Sequence, residues 1–187
     1  MRRHLAAFVV VAHSSLCLGA HPADAQEPSA AGLWQNIDTE TGKTDGWFFI
    51  YEHGTYEGAI VKMFLKPGDP PNPVCAKCEG DQQNAPWLGL TIIKGMDRKG
   101  LEYANGTILD PRYGKEWSAL MKLSPDGQNL TVTGYLLTPT FGKDQNWKRL
   151  SDACYAQLDP AVMMKFKLTP PKPGAPLPKG AKAPAGC

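Results

Sequence analysis

Beyond its first 25 residues the chain holds a single histidine, His53, because His4, His13 and His21 all lie before that point. A Ser-His-Asp or Cys-His nucleophile would have to take its base from this one imidazole. A histidine-rich zinc site is excluded, and no metal is expected. Long hydrophobic runs are also missing. The N-terminal apolar run, Leu5 to Val11, is far short of the roughly 20 residues that a membrane-spanning helix needs, and His13, Ser14 and Ser15 follow it closely. Excess charge of either sign is absent too. Removing Arg2, Arg3 and Asp24 from 20 basic and 18 acidic residues leaves 18 and 17, a net +1. That balance favours neither nucleic acid nor an anionic membrane surface as a partner. No cofactor motif stands out, since Gly114-Lys115 runs into Glu116 and is no phosphate loop.

What is present at the N-terminus is an export signal. Met1-Arg2-Arg3-His4 is positive, Leu5 to Val11 is apolar, and Ala23-Asp24-Ala25 has the small-x-small pattern that signal peptidase cuts after. Residues 1–25 therefore read as a signal peptide, with a mature chain that starts at Gln26 in the periplasm or outside the cell. Residues 26–168 are long enough for one domain with a real core. Residues 169–187 hold six prolines, three lysines and no acid, the composition of an extended proline-rich tail.

Within 31–168, turn signals recur at short spacing: Thr41-Gly42-Lys43, His53-Gly54, Pro67-Gly68-Asp69, Asp97-Arg98-Lys99-Gly100, Asp110-Pro111 and Pro125-Asp126-Gly127. Trp117, Ala119, Met121 and Leu123 alternate against Glu116, Ser118 and Lys122, and Leu130 and Val132 against Thr131 and Thr133, so these two segments read as a hairpin about Asp126-Gly127. Further strands are predicted near 32–37, 46–53, 56–65, 90–95, 101–109 and 143–150. Eight strands in meander order imply an all-β fold, a small antiparallel barrel. A short C-terminal helix is predicted within 151–166, where Leu158, Val162 and Phe166 recur at helical spacing and Pro160 shortens the element.

Gly32-Leu33-Trp34 opens the first strand and Trp147-Lys148-Arg149 closes the last. This pair is similar to the lipocalin-like (calycin) arrangement, in which a basic side chain of the final strand stacks on the tryptophan of a G-x-W motif and plugs one barrel end. The ordered set Tyr56-x-Gly58-x-Ile60-Val61, Cys75-x-x-Cys78-x-Gly80, Pro86-x-x-Gly89-Leu90, Gly106-x-x-x-Asp110-Pro111-x-x-Gly114-Lys115, Gly134-Tyr135 and Gly142-x-x-Gln145-x-Trp147-x-Arg149 is more specific. It resembles the exported bacterial family catalogued as domain of unknown function 2147, over about residues 32–150. The resemblance implies a lipocalin-like barrel outside the cytoplasm and supplies no catalytic residues. Thr133 and Asp144 stand where that pattern carries a basic and a hydroxyl residue.

Cys75-Ala76-Lys77-Cys78 could be a redox pair, half a zinc site or a structural bridge. Pro71, Pro73 and Gly80 mark the stretch as loop, and in an oxidising compartment a structural disulfide fits best. With Cys17 removed, Cys154 and Cys187 are the remaining pair. Their bond would tie the tail to the barrel and contribute about 3 to 4 kcal/mol in the chain-entropy account, the rival being a free Cys187 able to link a second chain. Asp110, Pro111 and Gly114 fit a type I turn, and the rival reading puts the Asp110 carboxylate and Lys115 at a barrel mouth. His53 sits beside Gly54 at a strand end, the place of a solvated histidine. Trp47, Phe49, Tyr51, Trp117 and Tyr135 are the candidates for lining a ligand cavity, or for simply filling the barrel. The sequence thus favours a non-enzymatic binding protein of the bacterial envelope, holding a small apolar or amphipathic ligand. An interaction module with a filled barrel, bound to another envelope protein, is the alternative. A hydrolase or isomerase would need a nucleophile motif that is not found, or paired carboxylates.

Overall fold

The computed structural model describes residues 27–38, 41–169 and 186–187. The expected signal peptide and most of the proline-rich tail lie outside these residues. Eight strands follow one another: β1 (Gly32–Ile37), β2 (Thr44–His53), β3 (Thr55–Met63), β4 (Thr91–Lys99), β5 (Glu102–Asp110), β6 (Lys115–Leu123), β7 (Asn129–Tyr135) and β8 (Lys143–Arg149). Each pairs antiparallel with the next, and β1 pairs with β8, so the sheet closes into a barrel with no free edge. The strands observed sit within a few residues of those the alternation predicts.

Period two fixes what faces inward. Ala119, Met121 and Leu123 of β6 point into the barrel with Leu130 and Val132 of β7, across the ladder Met121↔Val132 and Leu123↔Leu130. Trp34, Ile50, Ile93, Met96, Tyr103, Met121 and Leu130 are wholly buried there, so no water-sized space lies against them. Two glycines make the inner packing possible. A β-carbon on Gly58 would stand 2.7 Å from Ile50 Cδ1, and one on Gly106 would overlap Met96. Around these residues the barrel is filled by its own side chains, while Ile108 and Trp117, nearer the mouth, are partly exposed.

The β1–β2, β3–β4, β5–β6 and β7–β8 connections lie at one end, here called the mouth. The chain's N-terminal segment and the three remaining turns lie at the other. The long β3–β4 connection holds the Cys75–Cys78 disulfide. It folds on itself through Cys75 N–H to Ala85 O and Asn84 N–H to Cys75 O, and buries both sulfurs with Leu90, Ile92 and Leu109. It also abuts the β5–β6 turn, where Cys75 Sγ lies 3.3 Å from Pro111 O.

The C-terminal segment packs on the outer wall, over β1, β2 and β3. A 3-10 turn, Asp152–Gln157, precedes α1 (Pro160–Lys165). The single helix predicted within 151–166 is thus divided. Residue 160 is a proline, which has no N–H to continue a helix but suits its first position. Asp159 stays extended and caps α1 by accepting from Ala161 N–H at 2.7 Å. Leu33, Trp47 and Val61 of the wall are buried beneath Leu150, Tyr155, Leu158 and Val162. Cys154, at the centre of this layer, is bonded to Cys187, so the tail's end returns to the barrel.

Candidate functional site

The G-x-W pair closes the end opposite the mouth. Arg149 lies 4.2 Å over the Trp34 ring and donates from Nε to Gly127 O, from Nη1 to Ala31 O and from Nη2 to Ser29 O. Trp34 Nε1–H donates to Ala30 O, and Ala30 N–H to the Tyr103 hydroxyl, both at 2.8 Å. Burial pulls the Arg149 guanidinium down to about 10 from its ordinary value. Each guanidinium nitrogen donates to the chain itself, the mark of a structural group.

Asp110, Pro111 and Gly114 form the expected turn, with Gly114 N–H donating to Asp110 O at 2.9 Å. The Asp110 carboxylate accepts from Arg112 Nε and Nη2 and from its backbone N–H. It is held by that neighbour, and no ion pair joins it to Lys115. Gly114 has φ +64°, and a β-carbon there would collide with the Lys77 backbone. Both the turn and the fit of the disulfide loop depend on it.

The five aromatic candidates are not brought together. Phe48 and Ile50 are the inward residues of β2, Phe48 stacking on Trp147 at 4.2 Å. Trp47, Phe49 and Tyr51 therefore project from the outer wall, and the expectation that they line a cavity inside the barrel is corrected. Trp117 faces inward, opposite Ile108 and beside Gly134. Tyr135 shares the outer face with its partner Ser118. Trp47 packs under the C-terminal layer, with Lys62 Nζ 4.1 Å from its ring.

Phe49 and Tyr51 nevertheless line a groove, on the outside. Their rings stack at 5.6 Å and 16°, and Phe166 beyond α1 closes on both, at 6.3 and 5.4 Å. Tyr155 meets Phe49 edge-on at 6.3 Å. The open groove has a volume of about 790 Å³, with Glu52, His53, Glu57, Lys165 and Lys167 around the aromatic floor. Tyr51 donates its hydroxyl proton to Glu57 Oε2 at 2.7 Å, and Thr91 Oγ1 lies 3.1 Å away on its other side. Burial, then the Glu57 contacts, raise the Tyr51 phenol to about 12, so it stays protonated and holds Glu57 in place. Lys165 Nζ donates to Gly89 O at 2.7 Å, bridging α1 to the β4 approach. His53 is exposed, with Nδ1 3.9 Å from Glu57 Oε1.

Tyr155, Glu57, Thr91 and Lys165 were not singled out from the sequence, and Phe166 only as part of a helix. The available signal was the helical spacing that ends at Phe166. Chemically, the groove offers a flat apolar floor with separated charges at its rim, a surface for one face of an amphipathic molecule. Among the described residues no group of three or more His, Cys, Asp or Glu side chains is placed to hold a metal ion. A second groove, of about 640 Å³, lies between the β3–β4 connection and the 3-10 turn and is lined by Val61, Met63, Pro73, Leu88 and Leu158.

Thr133 and Asp144, the two departures from the pattern named above, are cross-strand partners. Thr133 Oγ1 donates to Asp144 Oδ1 at 2.7 Å, so the two side chains satisfy each other across the ladder.

The fold and these motifs agree with what the chain is similar to. No curated protein matches it. A solved structure, titled "Protein HP1028 from the human pathogen Helicobacter pylori belongs to the lipocalin family", superposes with a TM-score of 0.59 at 18% identity, covering 74% of this chain and 97% of that one. At that identity the likeness is one of fold. The bacterial family described as "Uncharacterized protein conserved in bacteria (DUF2147)" matches residues 32–149, from the first strand of the barrel to the last. The chain belongs to the DUF2147 family and has the lipocalin-like eight-stranded barrel as its fold.

Proposed function

We propose that this chain is an exported, non-enzymatic binding protein of the bacterial envelope, and that it holds a small amphipathic ligand in the aromatic groove on the outer wall. The observation that carries this reading is the Phe49–Tyr51 stack facing Phe166 in an open groove, while the barrel interior leaves no space against its core side chains. A ligand's apolar face would lie on the stacked rings, and its polar part would meet Lys165, Lys167, Glu52 or His53 at the rim. Export is supported by the N-terminal signal pattern and by two disulfides, which persist in oxidising compartments.

The alternative, a filled barrel acting as an interaction module, draws on the same packed interior. An amphipathic fluorescent probe, anilinonaphthalene sulfonate, separates the two. Its emission should rise on the mature protein, and Phe166→Ala or Phe49→Ala should weaken the binding roughly tenfold, since each removes one phenyl ring of the floor. Trp117→Leu, inside the barrel, should leave probe affinity unchanged. No binding, or binding insensitive to the groove variants, would move the assignment to the interaction module.

A further inference from the structure

Eight large apolar side chains are left exposed among the described residues, and seven of them stand at the mouth end. Three are in the β3–β4 connection, one is Tyr113 in the β5–β6 turn, and three are in the β7–β8 connection. The eighth, Met164, lies on α1. The turns at the opposite end carry none. The β7–β8 connection is the extreme case, with Leu136, Leu137 and Phe141 exposed at 70%, 88% and 87%. From Tyr135 to Gly142 the chain has eight residues without a charge.

The Phe141 end of this loop is held by the backbone. A 3-10 turn, Pro139–Phe141, is closed by Phe141 N–H to Thr138 O and Gly142 N–H to Pro139 O. Gly142 is pressed against β7, where a β-carbon would stand 2.5 Å from Thr133 Cγ2 and 3.1 Å from Gly134 O. The loop thus presents three separate apolar knobs, with 70 to 88% of their surface in water. A rigid protein partner would need a matched socket for each knob, whereas the fluid interface of a bilayer accepts projecting apolar groups of any shape. The exposed Lys143 follows directly and has no ion pair with a described carboxylate. Its flexible stem can place the ammonium at headgroup level. Carboxylates such as Asp45, Glu79 and Glu116 stand at the same end, so net charge does not supply the attraction.

We propose that the β7–β8 loop is a membrane-docking tip, which inserts Leu136, Leu137 and Phe141 into the interfacial region of a phospholipid bilayer and sets the mouth of the barrel against the membrane. The docking is hydrophobic and does not depend on anionic lipid. It is independent of the groove, which lies on the wall.

The test is co-sedimentation of the full mature chain with phosphatidylcholine liposomes, and with liposomes of equal parts phosphatidylcholine and phosphatidylglycerol. The protein should partition onto both, with little loss on raising salt. Leu137→Ser and Phe141→Ser should each lower the partition constant roughly tenfold, and Phe141→Trp should restore or exceed the original value. Both serine changes are at exposed positions, and matching melting curves would verify that the variants are folded. Failure to bind either liposome would overturn the proposal, as would binding unchanged by the serine variants or binding confined to the anionic liposomes. So would concentration-dependent self-association that the serine variants abolish, because the loop would then be an interface between copies of the chain.

Discussion

Replacing Trp34 by alanine removes the largest wholly buried side chain of the barrel. The loss of its transfer free energy, with the cavity it leaves, costs about 3 to 5 kcal/mol. Arg149→Ala removes the ring contact at 4.2 Å and three donors to backbone carbonyls, two of them in partly buried surroundings. Carbonyls that water can reach are re-solvated, so the cost is smaller, about 2 to 3 kcal/mol. The two residues share one contact, and the double variant should therefore fall short of the sum by about 1 kcal/mol, the order of a partly desolvated cation–π interaction. Arg149→Lys keeps the charge and loses the fork, and should lie between the parent and Arg149→Ala. Urea melts of the four variants, with slopes compared to check two-state behaviour, give these numbers. Strict additivity of the two alanine changes, or a neutral Trp34→Ala, would refute the view that the chain ends close the barrel through this pair.

Gly114→Ala should destabilise by more than 1 kcal/mol, because the position needs positive φ and has the Lys77 backbone against it; urea melts will show whether the change is tolerated. Of the six tyrosines, Tyr51 and Tyr155 should ionise near pH 12, with burial as the main cause in each. Their folded values lie above the unfolded value near 10, so the stability they contribute is fully present below about pH 10 and is lost as pH rises through about 12. Absorbance titration of the phenolates should give a late phase that disappears in Tyr51→Phe and Tyr155→Phe together, and six equivalent titrations would contradict the geometry.

The barrel was legible because its strands carry period-two alternation between Gly, Asp and Pro turns, as in Trp117 to Leu123, and because both G-x-W and the terminal arginine lie where the resemblance needs them. The groove was not. Residues 47–51, Trp-Phe-Phe-Ile-Tyr, form an unbroken apolar run with both faces covered, inside by the core and outside by the C-terminal layer. Alternation vanishes from such a strand, and nothing local tells which parity points inward. The covering layer was obscured in turn by Pro160, which splits the 151–166 segment into a 3-10 turn and a short helix whose docking depends on long-range contacts. The exposed loop at 136–141 reads in sequence as apolar residues like any others, and only its place beyond the last ladder pair of β7 and β8 reveals that nothing covers it.

The central claim is that the barrel is filled and that binding occurs on its outer wall. It is tested most directly by following the amide and aromatic resonances of the labelled mature protein during titration with anilinonaphthalene sulfonate. Shifts confined to Phe49, Tyr51, Thr91, Tyr155, Lys165 and Phe166 are expected, with Ile50, Ile93 and Met121 unmoved. Large shifts at those three interior residues would contradict the claim, since they would mean that the barrel opens to take the ligand inside.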